Sequence, residues 1–88
     1  MLTPTERLQH IRAKLEQAFA PTHLEIIDES HEHIGHAGSK DGAGHFALVI
    51  ASHTFSGKSL LTNHRLIYTT LDDLMGKEIH ALTIKIIA

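Results

Sequence analysis

The stretch from His45 to Tyr68, HFALVIASHTFSGKSLLTNHRLIY, constrains the fold most, because its apolar periodicity changes partway along. Phe46 to Ala51 is an unbroken apolar run dense in branched residues. It is too short for a typical helix and ends in polar residues, which reads as a buried strand. Ser52 to Ser59 breaks the run. From Leu60 the apolar spacing becomes Leu60, His64, Ile67, Leu71, Leu74, one face of a helix at 3.6 residues per turn. A central strand therefore feeds a packed helix, and groups at the ends of these elements are held by that unit.

The remaining elements follow from local chemistry. Thr3-Pro4-Thr5-Glu6 is a helix start, with Thr3 as cap, Pro4 at the first helical position and Glu6 completing a capping box. Leu8, Ile11, Leu15, Ala18 and Phe19 form its apolar stripe. Pro21 disfavours helical geometry at Ala20 and stops the helix there. His23 to Asp28 reads as a strand, and Glu29 to Gly44 as a long Gly- and His-rich loop. Gly76 stands where a helix C-cap would follow Met75. Ile79 to Ile87 is the last strand, with Leu82, Ile84 and Ile86 in one apolar phase. The order is helix, strand, strand, helix, strand.

Two strands flanking one loop can pair antiparallel, whereas a strand-helix-strand unit needs a right-handed crossover and a parallel pair. The expectation is one α+β domain over residues 1–88, an αββαβ sandwich whose three-stranded mixed sheet carries both helices on one face. The other face and the sheet edges stay open to a partner, a second copy of the chain included.

Composition narrows the function. There is no cysteine among 88 residues, so the fold must rest on packing. No signal-peptide pattern or apolar run of spanning length occurs, which leads to the expectation of a cytoplasmic protein with no membrane partner. Eight basic against ten acidic residues give a formal charge of -2, which excludes a general polyanion-binding field. Nine histidines are the unusual feature. Their protonation would reverse the sign of the net charge, and neutral imidazole is a metal ligand.

His31, His33 and His36 form an H-x-H-x-x-H cluster in the Gly-rich loop. Such a loop can turn imidazoles inward on zinc, iron or copper, but the spacing matches no specific zinc pattern and equally describes a solvated loop. His80, at the start of the last strand, is in phase with Leu82 and Ile84, so taken alone it reads as a half-buried, hydrogen-bonded residue. Gly57-Lys58-Ser59 ends like a phosphate-binding loop, yet Ser52 occupies the position of the required first glycine, which argues for a capped strand-to-helix turn instead. Lys58, His64 and Arg65 make a small basic area, readable as a solvated face or as a nucleic-acid contact. With no cysteine nucleophile and no GxSxG elbow, an enzyme is not expected.

LEIIDESH (24–31), GHF (44–46), FSGKSLLTNHRLIY (55–68) and EIHALTIK (78–85), in this order and at these separations, resemble the BolA family. The resemblance implies a fold like a class II KH domain. It also implies a partnership with monothiol glutaredoxins through a shared, bridging 2Fe-2S cluster, in iron-sulfur trafficking or iron regulation. The glutaredoxin would contribute a cysteine and recruit glutathione. The BolA-like chain would contribute His80, from the IHAL block, and a histidine of the loop between the first two strands, with no cofactor held by the isolated chain. His33, four residues after Glu29, falls best on the family's loop position, and His31 and His36 compete with it. The chain departs from the family's RHR triplet in having Asn63-His64-Arg65. A second role attributed to some BolA-like members is DNA-binding transcriptional regulation, for which Lys58, His64 and Arg65 would supply contacts. The GxxG grip of KH domains lacks its second glycine here.

Overall fold

A computed structural model describes residues 2–30 and 43–87. Helix α1 spans Pro4–Phe19, strand β1 His23–Asp28, strand β2 Gly44–Ala51, helix α2 Leu60–Thr70 and strand β3 Ile79–Ile86; a single 3-10 turn, His53–Phe55, joins β2 to α2. The sheet order is β1-β2-β3. β1 pairs antiparallel with β2, from His23 opposite Ala51 to Asp28 opposite Phe46. β2 pairs parallel with β3. The chain has the expected α+β fold, with two helices and a three-stranded mixed sheet.

The central strand works as its composition implies. Phe46, Leu48 and Ile50 point to one side and are buried, while His45, Ala47 and Val49 alternate to the other and are half-buried. Ile11, Leu15 and Phe19 of α1, Ile67 of α2, and Leu71, Leu74 and Ile79 pack with the buried side of β2 in one core. Both helices therefore cover the same sheet face. The opposite face carries exposed Glu25, Ile27, Ala81, Thr83 and Lys85. On the β3 edge the Tyr68 hydroxyl donates to the Leu82 carbonyl at 3.1 Å, which occupies one acceptor of an edge that sheets otherwise leave open.

The helix ends follow local rules. Thr3 caps α1 reciprocally: its Oγ1 accepts from the Glu6 N–H at 3.1 Å, and Glu6 Oε1 accepts from the Thr3 N–H at 2.9 Å. Ala20, forced off the helix by Pro21, closes α1 in the left-handed region at φ 42. Ser59 caps α2 by accepting from Thr62 N–H.

Three details differ from the periodic reading. Along α1 the buried row is Arg7, Ile11, Leu15 and Phe19, a strict i, i+4 series, and Ala18 is exposed beside it. Along α2 the buried row is Asn63, Ile67 and Leu71, so Leu60 is exposed and His64 only half-buried. Both rows are helical, and the chain uses the one in which Asn63 Nδ2 donates to the Phe55 carbonyl at 3.0 Å, tying the helix to the turn before it. Finally, α2 ends at Thr70. Gly76, at φ 80, turns the chain into β3 rather than capping the helix, its N–H donating to the Ile79 carbonyl at 2.8 Å.

Candidate functional site

The site rests on a break in the β2–β3 ladder. Gly44 pairs with Ile79, but the next residue of β2, His45, pairs with Ala81. One step along β2 is matched by two along β3, which makes His80 the extra residue of a bulge. Bulges re-aim a side chain that alternation would send the other way. Ile79 and Leu82 both face the core. A regular strand would send His80 inward with Leu82, whereas the bulge leaves it exposed. The expectation that His80 is half-buried in phase with Leu82 and Ile84 is thus corrected.

Turned outward, His80 meets His45. The ring centroids lie 5.1 Å apart with the planes inclined at 48°. His45 sits on the open side of β2, between buried Gly44 and Phe46. Its main chain is held from the end of β1: the His45 N–H donates to Ser30 Oγ at 3.1 Å, and its carbonyl accepts from Glu29 N–H at 2.8 Å. Ser30 is in turn locked onto Asp28 Oδ1 by its hydroxyl at 2.5 Å and its N–H at 2.9 Å. A side chain at Gly44 would force its neighbours to shift, since a Cβ there would lie 2.6 Å from the Phe46 ring and 2.8 Å from Ser30 Oγ. A shallow depression of about 210 Å³ beside the pair is lined by Glu29, His45, Phe46, Ala81, Leu82 and Thr83.

Chemically, neighbouring imidazoles can supply nitrogen donors to one metal centre; the His80 ring is exposed, whereas His45 is half-buried and its Nε2 is enclosed. Among the described residues no group of three His, Cys, Asp or Glu side chains gathers to complete a coordination shell. The donor set suits a centre whose other ligands arrive from elsewhere. His31, His33 and His36 lie outside the described residues. Of the predicted basic area, Lys58 and Arg65 are exposed and His64 half-buried. Lys58 belongs to the turn after the far end of β2, where its ammonium donates to the Thr54 carbonyl. These three residues are not drawn into the histidine pair.

His45 is the residue that sequence reasoning missed. Its signal was its place in GHF at the start of the central strand, which a parallel pairing brings level with the start of the last one. Recognising it requires the strand register, which periodicity alone does not supply.

The fold and the histidine pair together define a small αββαβ domain with an imidazole site at the start of its parallel strand pair. The family described as BolA-like protein matches residues 15–88, and the chain belongs to the BolA family. It is 41% identical over 76 residues to the DNA-binding transcriptional regulator BolA of Escherichia coli (strain K12), covering 86% of this chain and 70% of that protein. It is 46% identical over 83 residues to SufE-like protein 1, chloroplastic/mitochondrial, of Arabidopsis thaliana, of which it spans only 22%. Among solved structures, the BolA domain of SufE1 from Arabidopsis thaliana superposes with a TM-score of 0.80 at 42% identity, over 98% of this chain and 93% of that one. BolA1 from the same plant gives a TM-score of 0.76 at 37% identity, over 89% and 86%. No helix among the described residues is long and apolar enough to cross a membrane.

Proposed function

We propose that this chain is a partner of monothiol glutaredoxins and shares a bridging 2Fe-2S cluster with them through imidazole ligands at the start of β3. The observation that carries the reading is the outward-turned His80 ring, 5.1 Å from that of His45. His80 is the first ligand. The second comes from the connection that ends at His45, either His45 itself or one of His31, His33 and His36. Imidazole ligation on one side lowers the negative charge of a cluster and raises its reduction potential relative to all-thiolate ligation. A chain without cysteine that offers two nitrogens leaves half of the coordination to its companion, a glutaredoxin cysteine and glutathione.

The isolated chain is expected to be colourless, and mixing it with cluster-loaded monothiol glutaredoxin is expected to change the visible spectrum. His80→Ala should abolish that change. Comparing His45→Ala with His33→Ala then assigns the second ligand. Identical spectra for wild type and His80→Ala would overturn the reading.

A second reading, DNA binding in transcriptional regulation, draws on the name of the Escherichia coli relative and on one property of the chain: no Asp or Glu falls between Asp41 and Asp72. Exposed Lys58 and Arg65 lie in that acid-free stretch. If they meet phosphates, Lys58→Ala and Arg65→Ala each weaken DNA binding and flatten its salt dependence. Unchanged affinity and slope would remove these residues from any DNA contact.

A further inference from the structure

We propose that the buried ion pair between Arg7 and Glu78 is a positioning device for the histidine pair, setting where His80 stands relative to His45. The inference concerns the metal-free geometry of the chain and builds on the reading of His80 as a ligand.

Glu78 lies two residues before His80, at the entry to the bulge. Its side chain is buried, and its Oε1 accepts from Arg7 Nε at 3.2 Å, Arg7 Nη2 at 3.1 Å and the Leu2 N–H at 3.2 Å. Its main-chain carbonyl accepts from the Gly44 N–H at 2.9 Å, and Gly44 is the residue before His45. One residue thus joins the approach to both histidines through its backbone while its carboxylate is anchored in the first turns of α1. Backbone bonds from Glu78 N–H and Ile79 N–H to the Leu74 carbonyl at 2.8 and 2.9 Å also anchor this segment. They fix the turn, and Ile79, buried in the core and paired opposite Gly44, seats the strand; the Glu78 carboxylate adds the tie to α1. With the carboxylate held, β3 cannot slide against β2 at the bulge without pulling a buried charge off its partner.

Stability alone does not account for such a pair. The cost of desolvating two charges roughly cancels their attraction, so well-packed apolar replacements of similar volume commonly leave a protein as stable or more so. Arg7 stands in the row that continues as Ile11, Leu15 and Phe19, where an apolar residue would serve packing as well. What apolar side chains cannot supply is a directional bond. The two-nitrogen grip of a guanidinium on a carboxylate oxygen supplies one.

That difference separates positioning from a merely structural tie between α1 and the sheet. The test compares wild type, the double variant Arg7→Met/Glu78→Met, and His80→Ala as full-length chains. Three readouts are taken: the thermal midpoint, the nuclear Overhauser contact between the His45 and His80 rings in metal-free protein, and the affinity for Zn²⁺ alone of the binding component that His80→Ala removes. The double variant is expected to keep its thermal midpoint, lose the ring-to-ring contact and bind Zn²⁺ about tenfold more weakly in that component, the usual scale for losing a group that orients a ligand. A folded double variant with the ring contact and Zn²⁺ affinity of wild type would overturn the proposal. Should the double variant not fold, Arg7→Lys keeps the charge but loses the two-nitrogen grip. It should weaken the ring contact, and an unaltered contact would again overturn the proposal. These readouts use no glutaredoxin, so wild type with an intact ring contact but no spectral change on mixing would sink cluster sharing and leave the positioning role standing.

Discussion

The two ends of the β2–β3 ladder are built on different principles. At the end where β2 begins, polar side chains are bonded to each other, buried Arg7 to Glu78 at 3.1 Å and part-buried Ser30 to Asp28 at 2.5 Å, and the exposed His80 ring stands beside the half-buried His45. At the other end the buried groups are mainly apolar, with Ala51 and Phe55 enclosed, the Phe19 and Phe55 rings 5.0 Å apart, and Asn63 buried among them. Polar side chains there serve the main chain instead: Ser52 Oγ donates to the Phe19 carbonyl at 2.5 Å and Asn63 Nδ2 to the Phe55 carbonyl at 3.0 Å. A cleft of about 500 Å³ opens among Thr22, Ala51, Phe55, Asn63 and Ile87. One end thus fixes the direction of side chains and the other fixes the course of the chain. Damage to the two ends should be separable.

The largest expected effect is at the apolar end. Phe55→Ala should cost about 3–5 kcal/mol of folding stability, measured by chemical denaturation, and leave the His45–His80 ring contact unchanged in the folded protein. Loss of that contact would mean the two ends are coupled. Gly44→Ala comes next. The added methyl meets the Phe46 ring and Ser30 Oγ, and overpacking a tight site costs about 1–3 kcal/mol. Here the ring contact should go as well, and a stable variant with an intact contact would show that the bulge tolerates displacement.

A smaller effect tests whether α1 transmits its anchoring to the histidine end. Thr3→Ala removes the capping box beside Arg7 and should cost about 1 kcal/mol with little change in the ring contact. A large change would make the cap part of the positioning device. The smallest effect belongs to the exposed Lys14–Asp73 pair, at 2.8 Å. The hydrogen bond from Lys14 holds the Asp73 carboxyl below its ordinary range. A carboxyl lowered in the folded state contributes stability above its unfolded pKa and loses it as the pH falls through the folded value. Lys14→Ala should therefore return the Asp73 titration to the ordinary aspartate range, followed by NMR. Because the pair is exposed, it should barely move the denaturation midpoint at neutral pH. Neither end of the ladder should respond.

Much of this was legible from the residues. The unbroken run Phe46 to Ala51 identified the central strand, Thr3 to Glu6 the start of α1, and the Ala20-Pro21 step its end, because each depends on chemistry within a few positions. The IHAL block pointed to His80. Its direction was hidden, since 80, 82, 84 and 86 look like one continuous alternation and nothing local announces an extra residue between Ile79 and Leu82. His45 was hidden for a related reason: its neighbour comes from a strand more than thirty positions away, and only the register brings them level. Arg7 escaped because a charge in an apolar row reads as the edge of the stripe until Glu78 is seen opposite it. Asn63 escaped because the rows beginning at Leu60 and at Asn63 are both helical, and a side-chain bond to the Phe55 carbonyl decides between them.

The bulge has a consequence for how this chain can vary. The facing of every residue in a strand depends on whether its count from a fixed point is odd or even, and the surplus position in β3 alters that parity once, between Ile79 and Leu82. Exchanging one amino acid for another leaves a count unchanged; losing or gaining a codon does not. The outward aim of His80 is therefore robust to most single-base substitutions nearby, whereas deletion of Ile79 alone would bring the imidazole opposite Gly44, in phase with Leu82 and Ile84, and set it against the core.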